Sequence, residues 1–287
     1  MLAGVAVGAS TAWLAGRWSA RRRRSAPLEV NEAAPPPNPS WRPGDPSPHP
    51  FPGSPRLTFD PAATPAAVLY PLLISAVVPR PIALVSSAGA DGGRNLAPFS
   101  YFGLVAHDPP HVVIGTCATS GRENRQKDTQ QNVLETREFV VNVVSEWMLE
   151  AANHTCGFYD RGVDEMELAG LTPEPSEAVA PPRVAEAAVQ LECVLAAAHP
   201  VHNAAGLLTT TILIGRVVRV HVLDAVTDRT ATGAPVVAFN RLAAVSRLGG
   251  DTYARVTETY DLPRPGKEWQ ARRAGATVVS GGGAGGG

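Results

Sequence analysis

The sequence predicts an all-β fold, a barrel with minor helices, and three observations carry that prediction. Apolar runs of strand length recur too often and too closely for a doubly wound sheet. Val218, Val220 and Val222 alternate with Arg219 and His221, the period of two that marks a half-buried strand. The legible amphipathic helical stretch, 129–136 (TQQNVLET), spans only about two turns.

Along the chain, residues 66–78 (AAVLYPLLISAVV) are apolar enough for a buried lead-in, with Pro71 limiting any single helix. Residues 82–86 (IALVS) read as a buried strand, 87–94 as a Gly-rich turn and 96–105 as a second strand, which makes a hairpin. Residues 111–117, 138–144, 189–195 and 207–214 supply further strands. In the alternating run 218–222, His221 falls on the outward face and reads as a surface histidine.

Two short polar motifs interrupt this apolar pattern. Lys127-Asp128-Thr129 opens the helical stretch, with Asp128 or Thr129 as N-cap and Val133 and Leu134 as its buried face. A helix start presents free N–H groups and partial positive charge, and Lys127 adds a full charge, so a phosphate there meets both backbone donors and an ammonium. The dipole contributes roughly 0.3–2 kcal/mol and each charge-assisted hydrogen bond about 1.5–3 kcal/mol. The same residues also read as an ordinary capped helix, with Asp128 at the cap, Gln131 completing a capping box and Lys127 in water. In the other motif, 95–100 (NLAPFS), Pro98 removes one ladder N–H. Such a residue belongs at an edge or bulge, where backbone groups face a ligand instead of a strand. Asn95 and Ser100 bracket this run and offer polar atoms to a ring edge; without a ligand it is a strand entry with an edge bulge.

The remaining features bound the answer. A formal charge of −1 gives no reason to expect nucleic acid or an anionic surface as partner. Cys117, Cys156 and Cys193 show no C-x-x-C spacing and read as buried free thiols, which suits a reducing, intracellular compartment. Residues 153–166 collect His154, Cys156, Asp160, Asp164 and Glu165, but their spacing matches no tight zinc pattern, so they read as a lid or dimer contact with no metal. No G-x-G-x-x-G follows a predicted strand, so any nicotinamide must bind without that fold. The expected organisation is an apolar and basic segment 1–25, a Pro-rich linker 26–65, a folded domain 66–265 and a flexible Gly-rich tail 266–287. In 1–25 the apolar run precedes the basic block Arg21 to Arg24, the reverse of a secretory signal. It admits three readings: a membrane tether through 1–20 that leaves the barrel in the cytosol, an organellar targeting segment, or a disordered extension.

The ordered set 79–87 (PRPIALVSS), 95–102 (NLAPFSYF), Asp108-Pro109-Pro110 and Lys127-Asp128-Thr129 with Asn132 resembles the flavin reductase-like, FMN-binding split-barrel family. Matches continue through 162–171 (GVDEMELAGL), 181–184 (PPRV), 191–193 (LEC), 214–218 (IGRVV) and 247–250 (RLGG) with Tyr253. The resemblance implies a six-stranded Greek-key split β-barrel that forms a homodimer and holds FMN at the subunit interface. It implies phosphate near 127–129 and the isoalloxazine ring near 95–100, with Ser86, Ser87, Asn95, Ala97, Pro98, Ser100, Lys127, Asp128 and Thr129 as flavin contacts. The implied activity is an FMN-dependent oxidoreductase of flavin reductase type. NAD(P)H gives hydride to flavin, and electrons pass to free flavin, oxygen or a partner oxygenase. The alternative is a flavin-binding module without turnover, serving storage, sensing or assembly. Because the flavin carries the reaction, no catalytic side chain is assigned. Two departures stand out: Leu84 occupies a position where many relatives carry an aromatic, which removes a flavin-stacking contact, and 227–240 is unlike the usual short connection before Arg247.

Overall fold

The computed structural model describes residues 34–122, 124–230, 232–262 and Gly266. Segment 1–25, with its tether and targeting readings, and the tail beyond Gly266 lie outside the described residues. The described part of the linker, 34–65, contains no helix or strand. Among the described residues no helix is long and apolar enough to cross a membrane.

Seven strands form one antiparallel sheet: β1 (Ala83–Ala88), β2 (Arg94–Phe99), β3 (Phe102–His107), β4 (Pro110–Cys117), β5 (Glu138–Val143), β6 (Val189–His202) and β7 (Leu208–Val222). Their spatial order is β2-β1-β5-β6-β7-β4-β3. The two edge strands, β2 and β3, are therefore consecutive in the chain, joined only by the bend at Ser100 and Tyr101. This connection makes the sheet curl until its edges approach, yet no ladder forms between them, so the barrel stays split. The expected strand 96–105 is thus two strands, one pairing with β1 and the other with β4, and the sheet has seven strands where six were expected. Apolar patterning cannot register this change of partner, because it reports which face is buried and not which neighbour supplies the hydrogen bonds. Conversely, 207–214 and 218–222 belong to the single strand β7.

β1 is buried on both faces, which is why its sequence is a continuous apolar run and not an alternating one. Ala83 and Val85 face a core inside the curl with Phe99, Ile114, Phe139 and Leu213, whereas Ile82 and Leu84 face a second core with Leu96, Met148, Met166 and Val184. Gly215 of β7 lies against Phe139; a Cβ at this position would overlap the phenyl ring, so only glycine fits.

Four helices flank the sheet: α1 (Ala66–Ala76), α2 (Asp128–Thr136), α3 (Leu149–His154) and α4 (Glu165–Leu168). α2 closes one end of the inner core through Val133, and α3 and α4 cover the second core through Ala152 and Met166. α1 corrects the expected buried lead-in. It is one helix running through Pro71, and of its side chains only Ile74 is buried. Tyr70, Leu72 and Leu73 are exposed, as are Val77 and Val78 just beyond. The hydrophobicity was legible, but composition does not say which surface will cover it. Beyond β7, β8 (Val245–Arg247) and β9 (Tyr253–Arg255) pair antiparallel, and β8 also pairs with Arg80–Pro81. The unusual stretch 227–240 contributes a two-stranded ladder, Thr227–Arg229 with Pro235–Val237, and leads into a short helix, Phe239–Leu242.

His221 is not a surface histidine. Its Nε2 lies 2.7 Å from Oε1 of Glu192, which is fully buried. The strand period does place both residues on the outward face, but segment 175–184 folds over that face. The backbone N–H groups of Glu177 and Ala178 donate to the Glu192 carboxylate at 2.9 and 2.6 Å. Burial by itself would raise the pKa of Glu192, but these two N–H donors and His221 outweigh it and hold the carboxyl below its ordinary value. A depressed folded pKa contributes stability that is present above the unfolded value and is lost as pH falls through the folded one. Glu192→Ala should therefore lower the unfolding free energy at pH 7 by about 3–5 kcal/mol and flatten the acid limb of the stability curve, both read from urea titrations across pH.

Candidate functional site

The site is built on β2, an edge strand that pairs only with β1. Pro98 lies opposite Leu84 and leaves the outer side of the strand without a donor at that position, as a proline at a sheet edge should. The start of α2 lies against this edge: Asn95 Nδ2 donates to Thr129 Oγ1 at 2.7 Å, and both residues are buried. The Lys127 ammonium sits 5.7 Å from the centroid of the Phe99 ring. The two sequence motifs, 34 residues apart, are thus in direct contact.

The expected cap of α2 is not formed. Lys127, in an extended conformation, holds the N-cap position, and no side-chain capping bond is present. Asp128 is the first helical residue, and its carboxylate accepts instead from Arg122 Nη2 at 2.8 Å and Arg161 Nη1 at 3.4 Å. Gln131 Oε1 accepts from Arg161 Nη1 at 2.8 Å and so completes no capping box. Tertiary arginines have outcompeted the local cap, which leaves the first-turn N–H groups of α2 uncovered by any described side chain. Two cationic groups also offset the Asp128 carboxylate, which would otherwise repel an anion at the helix start.

Two adjoining cavities open here. One, of about 250 Å³, is lined by Asn95, Ala97, Pro98, Lys127, Asp128 and Thr129, with Glu165 and residues 155–159 on its far wall. The second, of about 370 Å³, shares Pro98, Cys117, Lys127 and Cys156 with it and extends past Ser100 and Tyr101 to Arg247 and Tyr253. Together they fall within the volume range of small-molecule sites. Seven of the nine expected contact residues therefore line one cavity or both. Ser86 and Ser87 line neither. Ser86 Oγ donates to the carbonyl of Pro182, and Ser87 Oγ accepts from Asn132 Nδ2 at 3.2 Å. β1 lies one strand in from the edge, so its hydroxyls are spent within the protein. Leu84 is also buried in the second core, away from both cavities. That position thus faces a core and lines neither cavity.

Several lining residues carried a different reading in the sequence, where 153–166 is a lid or dimer contact and the three cysteines are buried thiols. Residues 155–159 form a wall whose Phe158 is 99% exposed. Of the three thiols only Cys193 is fully buried, where burial pushes its pKa up to about 12, whereas Cys117 and Cys156 lie on the cavity walls. Among the described residues no group of three or more His, Cys, Asp or Glu side chains is placed to hold a metal ion. Glu165, on α4, accepts from the backbone N–H of Leu96 at 2.9 Å and so satisfies a donor on the edge strand. Nothing in the run GVDE marks which acid turns inward; α4 decides that by packing Met166 into the second core.

Burial raises the pKa of Glu165, and the Leu96 N–H offsets this only in part. A raised folded pKa contributes stability that is complete below the unfolded value and is lost as pH rises through the folded one. Wild-type protein should lose stability as pH climbs through this interval, on the opposite side of the ordinary carboxylate value from the window governed by Glu192. Glu165→Gln keeps an acceptor for Leu96 without the charge and should abolish that slope, which urea midpoints from pH 4 to 8 would reveal; an unchanged slope would remove Glu165 as its source.

Comparison with solved structures sets this geometry in a class. The fold is similar to that of a Shewanella frigidimarina protein with a split-barrel domain, at TM-score 0.60 and 23% identity, covering 73% of this chain and 100% of that one. It is also similar to nitrilotriacetate monooxygenase component B from Bacillus cereus, at TM-score 0.67 and 35% identity over 73% of this chain and 100% of that one. A third likeness is to Pseudomonas fluorescens 2-nitrobenzoate 2-nitroreductase, at TM-score 0.63 and 28% identity over 73% and 96% of the two chains. The curled, split sheet with an open edge thus places the protein among split-barrel folds. Residues 75–242 match the model of the flavin reductase like domain, and the chain belongs to that family. Among its curated relatives, YwrF of Bacillus subtilis is 38% identical over 196 residues, 68% of this chain and 93% of that protein.

Proposed function

We propose that the protein is an FMN-dependent oxidoreductase of flavin reductase type, taking hydride from NAD(P)H and delivering reducing equivalents to an acceptor. The observation that carries this reading is the Asn95–Thr129 hydrogen bond, which sets the open edge of β2 against the uncapped start of α2. The donor set suits a phosphorylated ring. Lys127 and the first N–H groups of α2 would hold the phosphate, with Arg122 and Arg161 offsetting Asp128. Asn95, Ala97, Pro98 and Ser100 would line the ring, and Thr129 keeps a hydroxyl hydrogen to donate once its oxygen has accepted from Asn95. Ser86 and Ser87 would act indirectly, by fixing β1 behind the edge strand. Bound flavin supplies the hydride chemistry, and this chain supplies position, electrostatics and exclusion of water. No side chain is assigned as acid or base. A partner oxygenase as acceptor is supported by the likeness to a monooxygenase component B.

Lys127→Ala should weaken FMN affinity by about 1.5–3 kcal/mol, roughly 10- to 150-fold, with an unchanged melting curve. Fluorescence titration of FMN measures this. Purified protein that retains no flavin after incubation with excess FMN would overturn the reading.

The exposed apolar face of α1, with Leu104 and Val105 of β3 also exposed, supports a homodimer. Sedimentation equilibrium should give twice the chain mass, and Leu73→Glu combined with Val77→Glu should shift the protein to monomer. An undisturbed dimer in that variant would place the interface elsewhere.

A further inference from the structure

The larger cavity extends well beyond the FMN contacts, and its outer end is chemically distinctive. Its walls carry Arg80, Lys127 and Arg247 together with Tyr70, Tyr101 and Tyr253, and among the described residues no Asp or Glu lines it. The three cations are not equivalent. Arg80 is buried, and four of its five N–H groups are engaged, by the carbonyls of Ile74, Val77 and Leu248 and by Ser100 Oγ, so it contributes charge but no free pair of donors for a two-oxygen anion. Lys127 belongs to the α2 end. Arg247 remains.

Its guanidinium stacks on the Tyr253 ring, with 4.5 Å from the central carbon to the ring centroid. Nη1 donates to Tyr253 Oη, and Nη2 donates to the carbonyl of Gly250 at 2.6 Å. A guanidinium carries five N–H groups, so donors remain after these contacts. The nearest acid, Asp251, lies 3.6 Å from Nη2 on a fully exposed side chain and competes weakly. The stack is itself anchored, because Tyr253 Oη donates to Asn153 Oδ1 of α3 at 2.7 Å, and Arg247 and Tyr253 are register partners on the paired strands β8 and β9. The result is a planar cation held in place before any ligand arrives, with aromatic side chains beside it. Arginine in this setting selects a flat, two-oxygen anion, and the tyrosines select a ring.

We propose that the outer end of this cavity is a binding site for a planar aromatic carboxylate, with Arg247 gripping the carboxylate. The site stands on its own geometry; its use as the place of the second substrate rests on the flavin reading given above.

Isothermal titration of the FMN-supplemented protein with benzoate, and separately with its neutral counterpart benzamide, tests the proposal. Benzoate should bind at least tenfold tighter than benzamide. Arg247→Gln should cost benzoate at least tenfold in affinity, and Arg247→Lys, which keeps the charge but not the fork, should fall between the two. FMN affinity should be the same in all three proteins. Equal binding of benzoate and benzamide by wild type, absence of benzoate binding while FMN still binds, or undiminished benzoate affinity in Arg247→Gln would each overturn it. Arg247-dependent benzoate binding by a protein that takes up no FMN would instead sink the flavin reading and leave this site standing.

Discussion

One hydrogen bond, from the Asn95 amide to the Thr129 hydroxyl, holds this protein's working surface together. It joins the open edge of a sheet to the start of a helix, two places where backbone polar groups go unpaired by construction. In most folds such groups are covered by caps or by another strand. Here the cap is withheld because Asp128 is engaged by Arg122 and Arg161, and the edge is kept free by Pro98. The uncapped start of α2 and the edge strand therefore line one concavity, where the first-turn N–H groups can meet an anionic ligand.

The rest of the fold makes that juxtaposition rigid. β1, buried between two cores, fixes the strand behind the edge, and Ser86 and Ser87 tie it to the Pro182 loop and to α2. Glu165 reaches from α4 to hold the Leu96 N–H, so the edge strand is supported from behind at the residue next to Asn95. On the opposite face of the sheet, the Glu192–His221 pair pins segment 175–184 over β6 and β7. Packing and buried polar contacts thus carry the stability, and the site's own donors are left for the ligand.

Charge is distributed with the same economy. The chain is close to neutral overall, yet the larger cavity is walled by three cations and, among the described residues, no carboxylate. Net charge says little about such a site, because it does not record where in the fold each charge is placed.

How much of this the sequence could reveal follows from the range of the physics involved. Strands 111–117 and 138–144, the helix near 129–136 and the edge character of Pro98 were legible because each is a local pattern of burial or backbone chemistry. The split of 96–105 into two strands, the inward turn of Ser86 and Ser87, the covering of His221 and the exposure of α1 were not. Each depends on which distant segment arrives alongside, and periodicity reports a face without naming its neighbour. The sequence by itself determined an all-β chain with two ligand-worthy motifs, because residue type and spacing set local conformation. Only the tertiary structure decided that those motifs meet, that Arg122 and Arg161 strip the helix of its cap, and that Arg247 lines the adjoining cavity, because contacts between segments tens of residues apart are made by packing.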